Sequence, residues 1–232
     1  MRTVISRRSV RGGFLAAAVA GSLFFGATGC GGGGEVDGTP KTPKDYKIVA
    51  GTELCGGRAV SAEASRALKV ITGMSRFEAS GEEYTIAQAA ADIVEAYPDT
   101  TVGREDVCRV YTPIGMPDFD LRITWDLRYS APTGPSAPNF TRLKMGERAV
   151  AAADKAYVFF ACRGTRLPDS LGLAHIVIGV EHWDVWREPE GAVEALKDAY
   201  ATVAHSVSLA MAKELRCEKN GGLPERPVLD PA

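Results

Sequence analysis

Histidine is scarce in this chain, with three residues among 232. None stands at ligand spacing from a cysteine, and no two of Cys55, Cys108, Cys162 and Cys217 lie within six residues of each other, which excludes the compact patterns of structural zinc sites. The Gly-x-Ser-x-Gly nucleophile turn is missing, and beyond the first residues so are the Gly-x-Gly-x-x-Gly and P-loop spacings. Ser170, within Pro168-Asp169-Ser170-Leu171-Gly172, reads as a plain turn serine. No catalytic residue, metal or cofactor is therefore implied. The apolar stretch over residues 12–26 is 15 residues long. That is short of the ~20 that a membrane-spanning helix needs. An excess of positive charge is lacking too: 27 basic residues face 29 acidic ones. Nucleic acid and anionic lipid are thereby disfavoured as the main partner.

The first 29 residues differ from the rest. They carry Arg2, Arg7, Arg8 and Arg11, no acid, and then the short apolar stretch, which are the parts of a secretory signal. At its end Ala27-Thr28-Gly29-Cys30 resembles the bacterial lipobox, with Ala27 where leucine is more usual. In that motif the cysteine thiol receives a diacylglyceryl group, the peptide is cut just before it, and acyl chains such as palmitate follow. Ser6-Arg7-Arg8-Ser9-Val10 is also similar to the twin-arginine export motif, although Val10 stands in place of phenylalanine. Residues 1–29 are thus expected to be a lipoprotein signal peptide and Cys30 the site of lipid attachment. Removing the four leading arginines leaves 23 basic residues against 29 acidic, a net charge of −6. Residues 30–47, with their glycine run and Pro40 and Pro43, read as a flexible tether. Its reach is roughly 20–25 Å.

Residues 48–217 are expected to form one extracytoplasmic domain. With Cys30 lipidated, Cys55, Cys108, Cys162 and Cys217 remain, an even number in a compartment that permits disulfides. Three pairings are open. Cys55–Cys108 with Cys162–Cys217 is favoured because each bond then ties one half of the domain to itself. Ser61 caps a helix faced by Ala64, Ala67, Leu68 and Ile71 and ended by Gly73. Thr85 and Gln88 have capping-box spacing ahead of a second helix, which Pro98 stops. Strands are expected at 106–112, 119–129, 140–145, 156–163 and 173–183. The second alternates Phe119, Leu121, Ile123, Trp125, Leu127 and Tyr129 against polar residues, as a strand with one buried and one wet face does. A long helix follows over 190–215, and residues 218–232, rich in proline and glycine, read as a disordered tail. The fold class is α+β: an antiparallel sheet of about five strands, with two N-terminal helices and one long C-terminal helix packed on it.

The lipobox and its glycines, with Glu53-Leu54-Cys55-Gly56-Gly57, Ala67-Leu68, Ile71-Thr72-Gly73 and Arg76-Phe77, resemble a group of uncharacterised actinobacterial lipoproteins. The resemblance covers the front third of the chain after the leader. It implies a tethered extracytoplasmic module with a disulfide-containing domain, held on the cell membrane and facing away from the cytoplasm. It brings no catalytic residue.

One cluster stands out as a candidate binding surface: Glu181, His182, Trp183, Asp184, Trp186 and Arg187, polar and aromatic residues at the end of a strand. His175 and His182, seven apart on that strand, should point to opposite faces, and His205 should lie on the surface of its helix. Three readings follow. The first is a non-enzymatic lipoprotein binding a protein partner or small ligand through a patch at Trp183 and Trp186. The second is a hydrolase of cell-wall or lipid material, which needs His175 or His182 beside a serine or carboxylate in a cleft. The third is an accessory subunit of a membrane complex.

Overall fold

Alternating residues build the centre of the molecule. The computed structural model describes residues 46–97, 102–168, 172–183 and 190–232; Cys30, Asp184, Trp186, Arg187 and Pro98, with the expectations placed on them, lie outside the described residues. All described residues belong to one compact unit, Lys41–Ala232. In chain order its elements are β1 (Ile48–Ala50), α1 (Ala62–Thr72), β2 (Arg76–Glu78), α2 (Ile86–Ala96), β3 (Val102–Tyr111), β4 (Asp120–Arg128), β5 (Thr141–Leu143), β6 (Arg148–Ala151), β7 (Lys155–Cys162), β8 (Ala174–His182) and α3 (Val193–Glu214). β1 and β2 form a small antiparallel pair, and the other six strands form one sheet in the order β3-β4-β8-β7-β6-β5, with every neighbouring pair antiparallel.

This is the expected α+β class, with more strands than the five expected. β1, β2 and β6 are three or four residues long, too short to show alternation, and β6 is buried throughout. The expected strand over 119–129 ends at Arg128. Tyr129, expected in the buried stripe, is 81% exposed.

The helices form on local signals. Ser61 Oγ accepts from the N–H of Ala64 at 3.1 Å, and Gly73, at φ 73°, closes α1 in the left-handed conformation that glycine adopts without strain. Thr85 Oγ1 likewise accepts from Gln88 N at 3.1 Å. The expected capping box is only half made, because the Gln88 amide bonds Asp92 instead. α3 starts at Val193 rather than near Glu190. It is buried on almost every side, because it packs on β6, β7 and β8 below and on α1 and α2 above. Its serine and threonine hydroxyls are therefore bonded internally. Thr202 and Ser208 donate to carbonyls one turn back, and Ser206 donates to Ala59 O while accepting from Ser61 N.

Two disulfides join the helical layer to the sheet, Cys55–Cys108 and Cys162–Cys217. Closing loops of this length stabilises by about 4 kcal/mol each in the chain-entropy model.

Residues 218–232 are not the loose tail expected. Leu223 is buried, and Ala232 N donates to Arg142 O beside a bridge between Leu143 and Pro231. The segment thus covers the free edge of β5, which would otherwise offer unpaired backbone groups. It also covers α3. His205, expected on the surface, is 2% exposed, and its Nε2 donates to Pro224 O at 2.8 Å. Burial depresses its pKa, partly offset by that carbonyl.

Candidate functional site

The face of the sheet away from the helices was expected to be wet. Its centre is not. Thr124 and Asp126 on β4 and Val177 and Glu181 on β8 all point to this outer face and are all buried. The cover comes from β7. Tyr157 pairs with Gly179, and a Cβ on Gly179 would stand 3.2 Å from the Tyr157 ring and 2.8 Å from Thr124 Oγ1. Glycine there lets the ring lie flat across the sheet. The ring's hydroxyl donates to Glu181 Oε1, and Arg104 Nη1 on β3 reaches Glu181 Oε2 at 2.7 Å. Burial first, then the neighbouring Glu181, pushes the Tyr157 pKa up, so the hydroxyl keeps its proton and acts as a donor.

Beside this network a cleft of about 320 Å³ opens between Arg104, Asp126, Arg128, Tyr157, Phe159 and Val177. Its outer wall is the loop carrying Ser130 and Pro132. Arg148 on β6 holds that loop by donating to Pro132 O at 2.9 Å, Gly134 O at 2.7 Å and Ser136 Oγ at 2.7 Å.

Asp126 is 3% exposed. Arg128 Nη2 pairs with its Oδ1 at 3.3 Å, a contact whose alignment falls short of a good hydrogen bond. Thr124 Oγ1, also buried, has no partner. Burial raises the Asp126 pKa, opposed by Arg128 and Arg104. Buried polar atoms are normally satisfied, so Asp126 and Thr124 mark a part of the outer face, beside the cleft, whose polar groups the protein does not fully pair.

Of the six residues proposed from the sequence, the three that are described, Glu181, His182 and Trp183, do not share one spot. Glu181 belongs to the Tyr157–Arg104 network. His182 points to the helical side and stacks on Phe119, with ring centroids 4.4 Å apart. Trp183 is 46% exposed on the outer face, with the Arg122 guanidinium 4.8 Å from its ring centroid. Arg122 and Arg109 both reach Asp106, the second at 3.2 Å. A shift in register between Asp106 and Cys108 inserts an extra residue in β3, so Asp106 and Arg109, three apart, share the outer face. His175 Nδ1 meets Glu147 Oε2 at 2.8 Å, but this pair is not among the residues lining the cleft.

The cleft residues Arg104, Asp126, Arg128 and Tyr157 were missed. The signal was present in β4, whose polar positions carry two arginines and two aspartates, but the burial of Asp126 among them rests on residues distant in sequence. Among the described residues, no group of three or more His, Cys, Asp or Glu side chains is placed to hold a metal, and no helix is long and apolar enough to cross a membrane. No family model, curated protein or solved structure matches the chain.

Proposed function

We propose that this protein is a lipid-anchored extracytoplasmic lipoprotein whose domain binds a small, net-neutral ligand in the cleft beside Asp126. The lipobox at Cys30 supports the anchor, and so does the cysteine count: two disulfides use four of the five cysteines and leave Cys30 as the remaining thiol. Two disulfides in one domain also fit an oxidising compartment.

The observation that carries the binding reading is the cleft itself, with the incompletely paired Asp126 carboxylate in its wall. The chemistry of the site favours a particular kind of ligand. Arg104 faces Glu181 and Arg128 faces Asp126, so the charges are matched and a strongly charged ligand gains little. Tyr157, Phe159 and Val177 offer an apolar surface. A ligand with hydroxyl or amide donors along one edge and an apolar face fits, as a sugar ring or a blocked peptide does, and the volume is at the small end for a ligand pocket.

Calorimetric titration of the mature protein with neutral oligosaccharides and with blocked dipeptides tests this reading. Binding should be saturable for one panel and lost in Ser130→Trp, which fills the cleft from an exposed loop position. No heat from either panel, or equal binding by Ser130→Trp, would remove the cleft as the site. The reading as a hydrolase of cell-wall or lipid material has in its favour only the His175–Glu147 pair, which is not among the residues lining the cleft.

A further inference from the structure

On the helical side of the sheet, opposite the cleft, a second and larger cavity of about 630 Å³ opens between the start of α1, one face of α3 and the C-terminal segment. Its charged lining comes from three separate stretches of chain: Arg58, Glu63 and Arg66 from the first, Lys213 from the second, Glu225 and Arg226 from the third. The cations outnumber the carboxylates by four to two. Some of these charges are already used. Arg58 faces Glu214 at 3.7 Å, Lys213 faces Glu225 at 3.5 Å, and Glu225 also accepts from Asn220 at 3.0 Å. Arg66 and Arg226 have no ion-pair partner among the described residues, and the carboxylate left to oppose them is Glu63.

We propose that this cavity is a binding site for an organic phosphate, gripped by Arg66 and Arg226 from two separate stretches of the chain. Two unpartnered guanidinium groups on different elements suit an anion with oxygens on several sides, and arginine forms paired hydrogen bonds to phosphate. The wall also includes Ala62 and Glu63, whose N–H groups open α1. Being at a helix start they have no acceptor within the helix, and they add a favourable field for negative charge. The floor is mixed: Leu209 and Ala210 are apolar, while Thr202, His205 and Ser206 are polar. The volume exceeds the needs of a bare phosphate ion, so a phosphate ester with an organic body matches it better. The positive excess is local, in a chain whose overall charge is −2, which argues that it serves a site rather than a general attraction to polyanions.

The same chemistry is carried by a soluble phosphate monoester and by the headgroup of an anionic phospholipid. The test uses the full mature protein in neutral detergent at low ionic strength, where surface charges are least screened. One arm titrates glycerol 3-phosphate. The other titrates dihexanoyl phosphatidylglycerol, with dihexanoyl phosphatidylcholine as control. Saturable binding of the first probe, or of phosphatidylglycerol over phosphatidylcholine, supports the site, and the arm that responds identifies the source. The Arg66→Ala/Arg226→Ala variant, altered only at exposed positions, should then bind at least about tenfold more weakly, since two charge-assisted contacts are lost. The same protein with lysine at both positions should recover part of that loss, and Ser130→Trp should bind unchanged. Absence of saturable binding in both arms, equal binding of phosphatidylcholine, or an undiminished affinity in the double alanine variant overturns the proposal.

Discussion

Arg104 Nη1 lies 2.7 Å from Glu181 Oε2, a salt bridge that runs from the edge strand β3 over β4 to the central strand β8. The carboxylate's other oxygen takes the Tyr157 hydroxyl. Three strands of the outer face are thereby fixed to one buried side chain, and the cleft stands beside them.

The two ends of this bridge should respond differently to mutation. Glu181→Ala leaves a tyrosine hydroxyl and a guanidinium without an acceptor and should cost about 2–3 kcal/mol in urea unfolding. Arg104→Ala removes a side chain that is 37% exposed. Its loss leaves the buried carboxylate with the Tyr157 bond alone, and should cost about 1–2 kcal/mol, less than Glu181→Ala. Equal costs would mean that the carboxylate is not the hub.

Gly179→Ala tests the close packing beneath Tyr157. The added methyl would stand 2.8 Å from Thr124 Oγ1 and 3.2 Å from the Tyr157 ring. Neither strand can retreat without breaking its ladder, so about 1–3 kcal/mol of stability should be lost, as in other overpacked sites. Ligand binding in the cleft should weaken as well, because the ring must lift. Unchanged stability would show that the ring does not lie where this packing places it.

Asp126 gives stability a pH dependence of unusual sign for a carboxylate. Burial raises its folded pKa above the unfolded value. Between those two values the folded state holds more proton than the unfolded chain, so stability falls as pH rises. The unfolded value is about 3.9, and the loss begins there and is complete once pH passes the folded pKa. Asp126→Asn should remove this component. Thermal unfolding followed from pH 4 to 8 should show a flatter profile for the variant, and a steeper decline would contradict the assignment.

His205 works in the opposite direction. Its folded pKa is lowered by burial, against raising contributions from the Pro224 carbonyl, Glu63 and Glu225 and a lowering one from Lys213. The unfolded chain therefore takes up a proton first as pH drops through about 6.5, and stability is lost below that point. His205→Gln should lower stability at pH 7.5 but reduce the further loss between pH 7.5 and 5.5. A variant that kept the full acid loss would place its origin elsewhere.

What could be read from the sequence was what is decided locally. Ser61 and Gly73 bound α1 because caps act within a turn, and Thr85 starts α2 for the same reason. The alternation from Leu121 to Leu127 marked β4, because one face of it meets the helices. What escaped depends on residues far apart in the chain. The centre of the outer face of β4 is buried beside Tyr157, which sits in a strand that reads as uniformly apolar. His205 is buried by Pro224 and its neighbours, in a stretch whose prolines and glycines look like those of a loose tail. Three short strands escaped because three or four residues cannot display a period. Of the candidate cluster, Glu181 and Trp183 share a face and His182 opposes them, as the two-residue period of β8 requires.

The proposed anchor would decide where any ligand is met, and one measurement addresses it directly. Intact-mass analysis of the protein extracted from membranes of its native host should give a chain that begins at Cys30, heavier than the bare polypeptide by a diacylglyceryl group, with or without a further acyl chain. A free thiol at Cys30, or a chain that starts at another residue, would contradict the account.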